Sequence, residues 1–130
     1  MNDYALLTLR LAAGIGLASH GYSAVIDGGP EAIEQFAGFL GSLDFPQPLI
    51  FAWVAKLTEL IGGVLVALGA FSRISSFLCA VTMLTAILTA HLGDEFSKWE
   101  TAFLYLAAMS TILVAGAGRI SIDAKRRRQH

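Results

Sequence analysis

The chain has 130 residues, of which 55% are hydrophobic and only 15% are charged, and its formal net charge is −1. A soluble domain carries about 25% charged residues, and a core of this size cannot bury so much apolar surface. With a mean hydropathy of +0.65, the composition argues against a small soluble domain and predicts a single membrane domain. The near-neutral charge gives no basis for nucleic-acid binding. The single cysteine, Cys79, excludes an internal disulfide or a Cys-x-x-Cys redox pair.

Four segments are long and apolar enough to be membrane-spanning helices. A helical span needs roughly 20 mostly apolar residues to cross about 30 Å of hydrocarbon. Residues 4–26, 49–71, 72–92 and 101–120 meet that requirement and are too continuously apolar for barrel strands. The connections after the second and third spans are short, so these neighbours run antiparallel. The sequence therefore predicts an all-α integral membrane four-helix bundle in which neighbouring helices run up and down.

The connection between the first two spans, residues 27–48, has one amphipathic pattern. Its apolar residues recur at i, i+3, i+4 and i+7, and they are Ile33, Phe36, Ala37 and Leu40. The spacing predicts a short helix in this first extracytoplasmic connection, lying at the membrane surface or over the mouth of the bundle. Aromatic residues near the outer connections are interpreted either as interfacial anchors or as walls of an apolar pocket. They are Tyr22, Phe39, Phe45, Phe51 and Tyr105.

Five ionisable residues fall inside the predicted spans, and they are Arg10, His20, Lys56, Glu59 and His91. A charge near the bilayer centre costs at least about 2.5–3.5 kcal/mol, so such residues face the bundle interior and pair with one another. Arg10 and Glu59 each lie on a stripe of small residues with four-residue spacing. The stripes favour close packing of the first two spans, with an Arg10–Glu59 pair or a water between them. Lys56, three residues before Glu59, is a second partner.

The role of these five residues is open at this point. Arg10, Lys56 and Glu59 either neutralise one another and fix the helix register, or form a buried polar site for a ligand head group or a proton. His20 and His91 make a structural hydrogen bond, contact a proton or quinone, or ligate haem, although their difference in depth weakens the haem alternative. No other metal site is expected. Three threonines on the third span lie on a side that His91 does not share, which argues against a polar channel there, and they are Thr82, Thr85 and Thr89.

The distribution of basic residues predicts the orientation of the spans. The tail at residues 121–130 contains four consecutive basic residues, and Arg73 lies in the connection between the second and third spans. The first connection has no Lys or Arg. By the positive-inside rule the tail and both termini are cytoplasmic, and the basic tail is expected to contact anionic lipid as well.

Several short motifs follow one another along the chain. They are RLAAG at residues 10–14, SHGY at 19–22, ELIGG at 59–63, LGAFSR at 68–73, and the histidine at position 91. In this order they resemble the DoxX family of small bacterial membrane proteins, over nearly the whole chain. The resemblance implies a four-span protein of the bacterial inner (plasma) membrane with redox-linked relatives. One branch contributes a membrane subunit to thiosulfate:quinone oxidoreduction, and others associate with thiol- and superoxide-handling enzymes. The family often has a lysine after the His-Gly motif where this chain has Ser-Ala-Val at 23–25, which argues against an anionic-substrate contact there.

These observations lead to one main functional hypothesis and two alternatives. The chain is expected to be a redox-associated subunit of the inner membrane that binds quinone through the buried polar residues of its bundle. Since it has no flavin motif and no thiol pair, any catalysis would be as the membrane subunit of a quinone-linked oxidoreductase. The alternatives are a non-enzymatic membrane scaffold or assembly partner, and a small-molecule or proton transporter. The expected partners are the lipid bilayer and proteins of a redox complex, with homo-oligomerisation left open.

Overall fold

The structure is a computed structural model that describes residues 2–89, 93 and 95–129. This described part of the chain is helical and contains no strand. Its α-helices are α1 Asp3–Tyr22, α2 Gly29–Ser42, α3 Pro48–Leu57, α4 Gly63–Leu68, α5 Ser72–Thr89, α6 Phe96–Ala115 and α7 Ile122–Gln129. Two π-helical turns, Ser23–Asp27 and Thr58–Gly62, extend α1 and join α3 to α4. The all-α prediction is confirmed.

Helix α1 and the continuous α3–α4 rod pack closely through small residues. A Cβ atom placed on Gly14 would lie 2.5 Å from the Gly63 carbonyl oxygen and 2.6 Å from the Ala67 nitrogen. A Cβ atom on Gly63 would in turn lie 2.6 Å from the Ala18 nitrogen. Only glycine permits backbones to approach this closely, as in other membrane helix pairs. The predicted packing of the two small-residue stripes is confirmed.

The remaining long helices complete the core and present apolar residues outward. Helix α5 packs along α6, and Met83, Met109 and Ile112 join residues of α1 and α4 in one buried cluster. On the outside, large apolar side chains are exposed, up to 81% at Val114. Among the described residues, two helical segments are long and apolar enough to cross a membrane, Pro48–Leu68 and Ser72–Thr89, with mean hydropathies of 1.9 and 1.5. The third predicted span ended at residue 92, and its last three residues lie outside the described residues.

Helix α2 is the amphipathic helix that the spacing predicts. Ile33, Ala37 and Leu40 are buried, and they pack with Ala52 of α3 in a second apolar cluster. The helix begins with Pro30 in its first turn, where the missing N–H is not needed for helical bonding. It therefore covers the end of the bundle at which α3 begins.

The fourth helix and the tail differ from the sequence-based prediction. Helix α6 begins at Phe96 and not at residue 101, because Phe96, Trp99 and Phe103 stack edge-to-face along its first two turns. It ends at Ala115 and not at residue 120, because Gly116 has a φ of +83°. The basic tail forms α7, and the Asp123 amide of this helix donates a 2.8 Å hydrogen bond to the Gly69 carbonyl.

Candidate ligand-binding cavity

A cavity of about 330 Å³ lies between α1, the α3–α4 rod, α5 and α6, with α2 on one side. Its volume falls at the small end of the range for sites that bind organic ligands. Much of the wall is apolar and includes Leu17, Phe36, Phe39, Leu40, Phe45 and Met83. The ionisable or polar side chains that face it include His20, Lys56, Glu59, Lys98 and Tyr105. An apolar wall with a few convergent polar groups is the usual form of a small-molecule site.

The Lys56–Glu59 ion pair is the most buried charged feature of this wall. The Lys56 Nζ lies 3.5 Å from the Glu59 Oε2, and Glu59 is only 7% exposed. The Nζ also lies 4.6 Å from the ring centroid of Phe36 on α2, a distance at which a cation is attracted to an aromatic face. The prediction that Lys56 pairs with Glu59 is therefore confirmed.

Glu59 lies in the π-helical turn Thr58–Gly62. A π turn inserts one extra residue into the helix and so re-aims the side chains that follow, and such turns occur frequently at functional sites. Gly62 of this turn allows α5 to approach closely, since a Cβ atom there would lie 2.8 Å from the Cys79 Sγ. The Cys79 thiol is buried and lies 3.9 Å from the Thr58 carbonyl oxygen. The turn thus holds Glu59 against the interior while the rod continues on both sides.

His20 and Tyr105 form a second polar group on the cavity wall. Their ring centroids are 5.9 Å apart and the rings are nearly perpendicular, which is a favourable aromatic geometry. Gly16 makes room for this arrangement, because a Cβ atom there would collide with the Tyr105 hydroxyl group. Tyr105, one of the five aromatic residues interpreted as anchors or pocket walls, therefore lines the cavity, as do Phe39 and Phe45.

Arg10 does not contribute to this cavity, and the predicted Arg10–Glu59 pair is wrong. The Arg10 guanidinium donates hydrogen bonds to four backbone carbonyls, those of Val66, Ala67, Ala117 and Ile120. The donor–acceptor distance is 3.1 Å for Val66 and Ala67 and 2.7 Å for Ala117 and Ile120. The Val66 and Ala67 oxygens belong to the last turn of α4, where helix carbonyls carry partial negative charge. The Ala117 and Ile120 oxygens belong to the connection between α6 and α7. Arg10 therefore ties α1 to the end of α4 and to this connection.

The threonine side of α5 lines the cavity, which the sequence-based argument against a polar channel did not anticipate. Thr82, Thr85 and Thr89 face it together with Lys98 and Thr101 of α6. The three threonines are spaced at i, i+3 and i+7, a pattern from which one polar face of α5 could have been predicted. A second signal of the same spacing joins Lys98, Thr101 and Tyr105 on α6.

The structure places one of the two predicted histidines. His20 lines the cavity, but His91 lies outside the described residues, so haem ligation by the pair stays a prediction. Within residues 2–89, 93 and 95–129, no group of three or more His, Cys, Asp or Glu side chains could hold a metal ion.

An all-helical chain with apolar outer faces and a buried ion pair has the character of a membrane protein in contact with the lipid bilayer. The DoxX family model matches residues 5–92, and this chain belongs to the DoxX family. The chain is also 38% identical over 112 residues to CatD of Bacillus subtilis (strain 168), which bears a provisional oxidoreductase name. The alignment covers 86% of this chain and 78% of CatD. No solved structure matches this chain.

Proposed function

We propose that this chain is a redox-associated membrane subunit that binds the head group of a quinone in the cavity beside Glu59. The observation that carries the proposal is the buried Glu59 paired with the half-buried Lys56 in a mostly apolar and aromatic wall. Membership of the DoxX family and the provisional oxidoreductase name of CatD agree with a redox role.

The chemistry of the wall suits a quinone ring. A quinone is a flat apolar ring with two carbonyl acceptors, and the Phe36, Phe39 and Met83 side chains offer apolar contacts to such a ring. The Lys56 ammonium and the Tyr105 hydroxyl can donate hydrogen bonds to the carbonyls. Hydrogen bonds from a charged donor are about twice as strong as those between neutral groups.

Reduction of a quinone to a quinol requires two electrons and two protons. Glu59 and His20 line the cavity and are able to exchange protons with a bound head group. We propose that the electrons come from a partner protein, because the sequence contains neither a flavin motif nor a thiol pair. The chain then supplies the binding site, the orientation of the head group and the exchange of protons.

A titration of the purified protein in neutral detergent with a short-chain quinone tests the proposal. Lys56→Met should weaken binding about tenfold, because a hydrogen bond from a charged donor contributes about 1.5–3 kcal/mol. Glu59→Gln should also weaken binding, because it removes the ion-pair partner that positions the Lys56 ammonium. Glu34→Gln is the matched control, since this acid is exposed on α2 and lies outside the cavity wall. Unchanged binding in both cavity variants, with a lower melting temperature for Glu59→Gln alone, would instead support a scaffold in which the pair only fixes helix packing.

We also propose that α1, the α3–α4 rod, α5 and α6 all cross the bacterial inner membrane, with both termini in the cytoplasm. Exposed apolar residues on every one of these segments support the crossing, for example Ile15, Ile61, Leu88 and Leu104. A membrane-impermeant maleimide should label Glu34→Cys in intact spheroplasts and Lys125→Cys only after permeabilisation. The wild-type chain is the background control, because Cys79 is buried. Labelling of Lys125→Cys in intact spheroplasts would contradict this orientation.

A further inference from the structure

A second cavity, of about 450 Å³, lies where α5 begins, α6 ends and α7 packs against both. Three of the residues that line it are arginines, Arg73, Arg126 and Arg127, and one is acidic, Asp123. We refer to this cavity as the arginine cavity. It is separate from the cavity beside Glu59 and shares no lining residue with it.

One of the three guanidinium groups, that of Arg126, contacts an aromatic ring, and that of Arg73 lies near the end of α6. The Arg73 guanidinium lies over the end of α6, and a Cβ atom on Gly116 would be 3.4 Å from its Nη2. The Arg126 guanidinium carbon lies 4.7 Å from the ring centroid of Phe71, within the range of a cation–π contact. The contact with Phe71 reduces the conformational entropy that the Arg126 side chain would lose on binding an anion.

The acidic residue of the arginine cavity is already engaged. The Asp123 carboxylate accepts hydrogen bonds from the backbone amides of Phe71 and Ser72, at 2.7 and 2.8 Å, and so caps the start of α5. Among the side chains that the structure describes, no carboxylate lies within salt-bridge distance of the three arginines. The cavity therefore presents three guanidinium groups against one carboxylate that is bound to backbone.

We propose that the arginine cavity binds the phosphate group of an anionic phospholipid. The planar guanidinium matches phosphate oxygens with two parallel hydrogen bonds, which makes arginine the preferred residue for such groups. Phe71 and Ile74 line the same cavity and are 52% and 64% exposed. An acyl chain covers such apolar residues, whereas a free phosphate leaves them in water. The site also lies at the junction between the apolar α5 and the basic α7, where lipid head groups meet basic residues.

Native mass spectrometry of the full chain in neutral maltoside micelles tests the proposal, because such micelles lack the anionic surface that attracts any basic residue. The probes are phosphatidylglycerol, phosphatidylcholine and inorganic phosphate, each titrated separately. We expect phosphatidylglycerol to be retained in preference to phosphatidylcholine, and Arg126→Gln to weaken its binding roughly fivefold, the contribution of one basic residue near an anionic surface. Arg73→Gln should have a similar effect. Lys125→Gln is the matched control, since it removes the same charge from the same helix outside the cavity wall.

Each other outcome overturns the proposal. Equal losses for Lys125→Gln and Arg126→Gln would mean that binding depends on the general charge of α7. Equal retention of the two lipids would exclude a site for the phosphate of an anionic lipid. Saturable binding of inorganic phosphate without retention of phosphatidylglycerol would assign the cavity to a soluble anion. Melting temperatures of all variants in the same micelles separate a lost site from a lost fold.

Discussion

Replacement of Arg10 by methionine should destabilise the fold without affecting a ligand beside Glu59. The substitution keeps an apolar stem of similar length but removes every donor of a side chain that is only 2% exposed. The bonds to the Val66 and Ala117 carbonyls are buried, and those to Ala67 and Ile120 are partly buried. A buried acceptor left without a partner costs about 1–3 kcal/mol. The Val66 carbonyl keeps the Gly69 amide as a donor, so the Ala117 carbonyl is the buried acceptor that loses its partner. Since the variant no longer has to desolvate a guanidinium group, we expect a net loss of about 1–3 kcal/mol.

The assay is equilibrium unfolding in mixed micelles, with Arg10→Met, Glu59→Gln and the double variant measured together. Arg10 contacts the end of the rod near Gly69, about 15 Å from Glu59 at 1.5 Å per residue. Substitutions that far apart with no shared partner add within about 0.5 kcal/mol. A coupling free energy between Arg10→Met and Glu59→Gln clearly larger than about 0.5 kcal/mol would refute the separation of the two charges. It would support the Arg10–Glu59 ion pair that the sequence predicted. A quinone affinity that falls in Arg10→Met, at a temperature where the variant is folded, would refute the separation independently.

Two further predictions concern the helix ends and the small-residue packing. The amide hydrogen bonds from Ser72 and Phe71, with Arg126 nearby, hold the pKa of Asp123 below its usual range even though partial burial acts in the opposite direction. Its stabilising contribution should therefore be present above the unfolded-state pKa of about 3.9 and be lost as the pH falls through the folded-state value. Thermal melts as a function of pH should show this loss in the wild type and not in Asp123→Asn. Gly63→Val should abolish the close contact of α1 with α4 and lower the melting temperature sharply. Gly38 has open space around it, so Gly38→Ala should raise the free energy of unfolding by up to about 1 kcal/mol. Equal effects of the two substitutions on the melting temperature would contradict the packing.

The helices were predictable from the sequence because their signals are local. A long apolar run, a stripe of small residues or an i, i+3, i+4 pattern lies within one segment and needs no knowledge of its neighbours. The start of α6 was missed because Phe96 and Trp99 extend the helix by stacking on Phe103, and their polar neighbours Ser97, Lys98 and Glu100 do not resemble a span. The helix of the tail was missed because the basic run gives no apolar periodicity.

The site was only partly predictable, and the difference lies in the type of partner. The Lys56–Glu59 pair follows from a spacing of three residues on one helix, which brings side chains together in any sequence. The partners of Arg10 are backbone carbonyls 56 to 110 residues away, and a carbonyl has no signature in the sequence. An opposite charge on the next span was the visible candidate, and it was the wrong one.

The two buried charges, Arg10 and Glu59, have different surroundings, which indicates a structural role for the first and a ligand-binding role for the second. Arg10 is held by two carbonyls of the last turn of α4 and by two carbonyls of the connection between α6 and α7, so its charge joins α1 to both of these regions. Glu59 has Lys56 as its ion-pair partner among the described residues, and both line the cavity. Phe36 and Leu40 of α2 line the same cavity, and α2 packs on α3 through apolar side chains, whereas α1 and α4 are joined by the close backbone contact of Gly14 with Gly63. Contacts between side chains separate more easily than closely packed backbones, so we expect a ligand of Glu59 to enter past α2.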